Sequence, residues 1–137
     1  MAPMYTAVAT SVGREGRSVS DDGILDLTLA RPKELGGDGQ GTNPEQLFAA
    51  GYSACFASAL QLVAKRMKIE AEDAAVTAEV GLNAKEGGGF SLSVVLRVEL
   101  PEHLHNETGK QLVETAHQVC PYSNATRGNI PVELVVE

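Results

Sequence analysis

Two cysteines are all the thiols that this chain of 137 residues contains. So few exclude a multi-bridge secreted framework, and a four-cysteine zinc site cannot be built. Positive charge is also scarce. Eleven Lys and Arg stand against 18 Asp and Glu, for a formal net charge of −7. The basic residues are scattered and form no stripe, so neither nucleic acid nor a membrane is expected as a partner. No repeat, low-complexity tract or long linker interrupts the chain, and its length suits one domain over residues 1–137. The opening Met-Ala-Pro-Met-Tyr has no basic stretch leading into an apolar one, which predicts no secretory signal. A reducing, cytoplasmic setting is the expectation. There a cysteine pair is catalytic, redox-sensing or inert more often than a permanent bridge. The charge balance favours action on something small or apolar.

The pattern of apolar residues gives an order β, β, α, β, β, α, β. Tyr5 to Val12 is short and rich in Thr and Val, and Leu25, Leu27 and Leu29 alternate with Asp26 and Thr28 as in a half-buried strand. A glycine-rich loop, 36–41, precedes a long helix. Asn43 suits its N-cap, Pro44 its first position, and Thr42-x-x-Glu45 fits a capping box. From Gln46 to Ala64 no residue is charged, a run of 19 that is long enough to span a bilayer. Gln46, Ser53, Ser58 and Gln61 within it favour a core helix, buried nearly all round. Lys65, Arg66 and Lys68 close it against the C-terminal dipole. Val76, Ala78, Val80 and Leu82 then alternate with polar residues, Gly87-Gly88-Gly89 turns, and Phe90 to Leu100 holds period two throughout. A second helix is expected from about Glu107 to Val119, ended by Cys120-Pro121. Val132 to Val136 is a last strand. Hairpins segregated from two helices indicate an antiparallel α+β fold. A small chain would struggle to cover so apolar a first helix, so a homodimer is expected.

Cys55 lies about three turns inside that helix. By itself it reads as a small core residue. Cys120 stands at a helix end, and a separation of 65 residues says little about redox work. Metal binding would need His117-x-x-Cys120 or His103-x-His105 to converge with further ligands. For Cys55 to act as a nucleophile its thiol must ionise, and it is too far from the helix N-terminus for the dipole to help. A cation has to do so. Arg14 and Arg17 are the candidates, and the alternative is that both are surface charges in a hairpin turn. Glu45 either caps its own helix or serves a site. Ten residues of helix separate it from Cys55 by about 15 Å along the axis. The two can therefore share a site only between antiparallel helices of two chains.

The same residues carry a family resemblance. Gly41-Thr-Asn-Pro-Glu-Gln-Leu-Phe-Ala-Ala-Gly-Tyr-Ser-Ala-Cys-Phe56 resembles the peroxidatic helix of the OsmC/Ohr family, and Cys120-Pro-Tyr-Ser-Asn-Ala-Thr-Arg-Gly-Asn129 resembles its resolving-cysteine segment. The wording of both is similar to the Ohr branch rather than the OsmC branch, and the likeness covers essentially the whole chain. The resemblance implies an OsmC-like fold, with antiparallel sheets wrapped around central helices in a domain-swapped homodimer. It implies a thiol-dependent peroxidase that reduces organic hydroperoxides to alcohols. Cys55 takes the place of the peroxidatic thiol, Cys120 of the resolving thiol, Arg14 of the catalytic arginine, with Arg17 the less favoured register, and Glu45 of the carboxylate that orients it. Val12-Gly13 stands where many relatives have two glycines. No bound cofactor or metal is implied. The reductant would be an external dithiol, dihydrolipoamide or a lipoylated protein.

Phe48, Tyr52 and Phe56 near Cys55 predict an apolar substrate pocket, with preference rising with alkyl bulk because each buried methylene contributes about 0.8 kcal/mol. Other readings stay open beside the Ohr one. An OsmC-type peroxidase of broader use, a redox-responsive or apolar-ligand binding protein without turnover, and a Cys/His metal site each fit part of the pattern.

Overall fold

The computed structural model describes residues 1–137. The chain forms two compact units, Met1–Leu47 and Phe48–Glu137. The first holds a three-stranded antiparallel sheet of β1 (Ala9–Ser11), β2 (Arg17–Ser20) and β3 (Asp26–Thr28), in that order. The strand expected over Tyr5 to Val12 is thus only three residues long. β2, which no apolar period announces, pairs Ser18 with both Ser11 and Leu27. Leu29 is buried but Leu27 is exposed, so the expected alternation holds only at its end. A 3₁₀ turn over Lys33–Leu35 leads to the glycine-rich loop.

The long helix, α1, runs Pro44–Met67. Asn43 caps it, its Oδ1 accepting from the Gln46 N–H at 2.8 Å. That bond uses the Asn43–Gln46 register, one residue later than the Thr42–Glu45 box expected from sequence. The Thr42 hydroxyl donates instead to Gln46 Oε1 at 2.7 Å, and the Glu45 carboxylate is released for another use. Within one chain α1 is buried on one face only. Tyr52, Phe56, Ala59, Leu60, Val63 and Ala64 form its buried face, while Ala50, Ala54, Ser58 and Leu62 are exposed.

In the second unit β4 (Ala75–Ala84) and β5 (Phe90–Glu99) make a long hairpin. Its turn takes positive φ at Gly87, Gly88 and Gly89, which side chains with a Cβ disfavour. The register sets Val76 against Val98, Ala78 against Leu96 and Val80 against Val94, so one face is continuously apolar. β6 (Val132–Val136) completes the sheet beside β5. This last pair is parallel, a local departure from the antiparallel pairing expected. The crossover is made by two helices, α2 (Glu107–Val119) and α3 (Pro121–Thr126). Parallel neighbours require such a connection. α2 is capped by Asn106, which accepts from the Gly109 N–H at 3.1 Å, and it buries Leu112, Val113 and Ala116 as its spacing predicts. These side chains meet Leu96 and Val98 of the sheet and Phe56 and Leu60 of α1 in one core. Burying each large one contributes about 1.5–3 kcal/mol.

Candidate active site

Between β1 and β2 the chain turns at Gly13, with φ of +65°. The next residue, Arg14, reaches Glu45 in the first turn of α1. Its Nη1 donates to Oε1 at 2.9 Å and to Oε2 at 3.4 Å. One nitrogen spans the carboxylate, so the guanidinium engages it by a single edge atom rather than fork to fork. Glu45 is 15% exposed, which makes the pair more than a solvated surface contact. Arg17 makes a different partnership. It sits in β2 and bonds to Asp26 of β3 in an exposed cross-strand pair. Of the two arginine registers, Arg14 is the one joined to Glu45.

The two cysteines also come together. Cys55 on α1 and Cys120 between α2 and α3 hold their Sγ atoms 3.4 Å apart, and both are free thiols. Cys120 is fully buried and Cys55 is half-buried. A covalent bond of about 2.05 Å would need the sulfurs to close by roughly 1.4 Å. Pro121 makes this arrangement possible. It ends α2 at Cys120 and begins α3 one residue on, where a missing N–H costs nothing. The sequence shows the stop but not the restart. Burial pushes the Cys55 thiol above its ordinary range. The Tyr122 backbone N–H opposes this by donating to the sulfur, while the adjoining Cys120 thiol adds to the upward push.

Of the expected pocket residues, Tyr52 and Phe56 are wholly buried in the core and Phe48 is half-buried. Tyr122, not singled out from sequence, joins them. Its ring lies 6.0 Å from that of Phe48 and 5.6 Å from that of Tyr52. Its position in Cys120-Pro-Tyr was the available signal, since an aromatic two residues past a site cysteine has to pack near it. Two of the three histidines contact backbone carbonyls. His103 Nε2 lies 3.1 Å from the Glu70 carbonyl and His105 Nε2 lies 2.8 Å from that of Leu100. His117 turns to Ser123, with Nδ1 at 2.7 Å from Oγ.

A free thiol pair between the helices of an α+β unit, and an Arg–Glu pair at the head of the long helix, together define a class of protein. A family model described as OsmC-like protein matches residues 37–135, and the chain belongs to the OsmC-like family. The organic hydroperoxide resistance protein of Xanthomonas axonopodis pv. citri is 52% identical over 140 residues, covering 97% of this chain and 94% of the relative. Among solved structures, the organic hydroperoxide resistance protein of Legionella pneumophila superposes with a TM-score of 0.94 at 50% identity, covering 99% of both chains. That of Elizabethkingia anophelis does so with a TM-score of 0.93 at 52% identity, covering 100% of this chain and 99% of its own. Within the family, the chain falls on the Ohr branch.

Proposed function

We propose that this chain is a thiol peroxidase that reduces organic hydroperoxides and so confers resistance to them. The observation that carries the reading is the 3.4 Å separation of the Cys55 and Cys120 sulfurs. Relatives named organic hydroperoxide resistance protein at about this identity support the substrate class.

In the reaction, the Cys55 thiolate attacks the terminal oxygen of ROOH. The O–O bond breaks, the leaving alkoxide takes up a proton as ROH, and Cys55 becomes a sulfenic acid. The Cys120 thiol then attacks that sulfur and expels water, leaving a disulfide. An external dithiol, dihydrolipoamide or a lipoylated protein in this proposal, exchanges with the disulfide and is itself oxidised. Arg14 has two tasks. It stabilises the thiolate that burial disfavours, and it meets the charge developing on the leaving oxygen. Glu45 aims it. Because Nη1 alone engages the carboxylate, the guanidinium keeps donors for the peroxide.

Glu45 and Cys55 are ten residues apart on α1, about 15 Å along its axis. We therefore assign the active site to a homodimer, with the Arg14–Glu45 pair of one protomer serving Cys55 of its partner. The exposed small side chains of α1, Ala50, Ala54 and Ser58, allow close helix approach there. A domain swap is the arrangement we favour. A reducing cytoplasm suits a thiol pair that must be regenerated.

The test is a thiol count in denaturant before and after one equivalent of tert-butyl hydroperoxide. Two thiols should fall to none, with the chain at monomer mass less two hydrogens. Persistence of both would reject the reading and favour ligand binding without turnover.

Tyr122 provides a finer check. A Cβ on Gly51 would stand 2.6 Å from its hydroxyl oxygen and 3.1 Å from two ring carbons. Gly51→Ala raises helix propensity by about 1 kcal/mol while forcing that ring off Phe48 and Tyr52. Turnover of a bulky hydroperoxide should fall by about tenfold, since small displacements at a reacting centre have large rate effects. The thermal midpoint should change by less than about 4 °C. Unchanged turnover would remove Tyr122 from the substrate's surroundings.

A further inference from the structure

Behind the two sulfurs, four polar side chains are joined in a line that the reaction above does not use. Tyr52 and Ser123 are wholly buried, Thr126 is 1% exposed and His117 is half-buried. His117 Nδ1 lies 2.7 Å from Ser123 Oγ, Ser123 Oγ lies 2.8 Å from Tyr52 OH, and Tyr52 OH lies 3.2 Å from Thr126 Oγ1. Thr126 Oγ1 also contacts the Ser123 carbonyl oxygen at 3.1 Å.

Each hydroxyl has one proton to give, and counting them orients the whole line. The Ser123 carbonyl can only accept, so Thr126 donates there. Thr126 then accepts from Tyr52. Tyr52, its proton committed, accepts from Ser123. Ser123, its own proton committed, accepts from His117. No other arrangement makes all four contacts, and it requires a proton on Nδ1 of His117.

The line also has a geometric meaning. His117 belongs to α2, Ser123 and Thr126 to α3, and Tyr52 to α1 one turn before Cys55. Cys120 lies between His117 and Ser123, three residues from each. The chain of bonds thus ties together the three helices that carry or flank the sulfurs. It holds in place the segment that supplies both the Cys120 thiol and the Tyr122 N–H. Left without a partner, each buried hydroxyl would carry an uncompensated desolvation cost, so the line resists being broken one bond at a time.

We infer that His117 is fixed as the Nδ1–H tautomer and is a positioning residue, the donor at the head of a one-way hydrogen-bond chain that keeps Cys120 against Cys55 for disulfide closure. The importance of closure to the cycle rests on the peroxidase reading above. The tautomer and the positioning do not.

Two measurements decide it without using peroxide. In reduced wild-type protein, ¹⁵N-resolved spectra of the neutral His117 ring should show a protonated Nδ1 and a bare Nε2. A protonated Nε2, or averaging between the two forms, would overturn the assignment. Equilibration with glutathione gives the effective concentration of one thiol toward the other. His117→Leu and Ser123→Ala should each lower it by about tenfold, the weight of one net hydrogen bond. His117→Asn, whose amide N–H can replace the Nδ1 donor, should restore it to within about threefold. Equal values for His117→Leu, His117→Asn and the wild type would reject the positioning role. Loss of peroxide reduction in wild-type protein would reject the peroxidase reading alone.

Discussion

Cys55→Ser is expected to lower peroxide consumption by at least about a thousandfold, the scale seen when a covalent nucleophile is removed. Cys120→Ser should behave differently. It still reacts once per chain, gains one oxygen at Cys55, and then stalls for want of a resolving thiol. The asymmetry follows from exposure. Cys120 is fully buried, whereas Cys55 is half-buried and is the sulfur that an outside peroxide can approach. Mass measurement after one equivalent of peroxide separates the cases. A Cys55→Ser chain oxidised at Cys120 as fast as the wild type would exchange the two roles.

Arg14→Ala should also be damaging, though less so, and its pH profile should carry the explanation. Burial holds the Cys55 thiol above its ordinary range, so without a cation little thiolate exists near neutrality. The reactive form is the deprotonated one. Below the thiol's pKa its fraction falls about tenfold for each pH unit, and the rate falls with it. Loss of Arg14 is therefore expected to cost about a hundredfold at pH 7, comparable to losing one oxyanion donor. The deficit should narrow as pH rises through the raised pKa. Arg17→Ala is the control. Its partner is Asp26 on an exposed strand pair, and turnover should stay within about twofold. A flat deficit across pH would mean that Arg14 acts on the leaving oxygen only. No deficit would remove it from the site.

The elements with a long, unbroken period were legible in the sequence. α1, the β4–β5 hairpin, α2 and β6 fall where their spacing puts them. Short elements were not. β2 is Arg-Ser-Val-Ser, four residues with one apolar side chain, and it exists because β1 and β3 supply its hydrogen bonds. α3 was hidden because proline is both a helix stop and a favoured first residue, and the sequence does not show which. The face of α1 left open in one chain carries alanine and serine at Ala50, Ala54 and Ser58, the face for which the sequence led us to expect a second copy. At the site, residue types were readable but proximities were not. Nothing in 65 residues of separation brings Cys55 within 3.4 Å of Cys120; the α1, α2 and sheet packing does so. Tyr122, Ser123 and His117 acquire their meaning only from the same packing.

The head of α1 divides two duties between neighbouring residues. Asn43 closes the helix end, and Glu45, two positions on, holds the arginine. Were the carboxylate also the cap, any change that tuned the guanidinium would loosen the helix that carries Cys55. With the tasks apart, Asn43→Ala is expected to touch folding and Glu45→Gln the proposed chemistry, so that selection can adjust one without the other. That modularity leaves the reactivity of this arginine open to evolutionary or engineered retuning while the scaffold stays as it is.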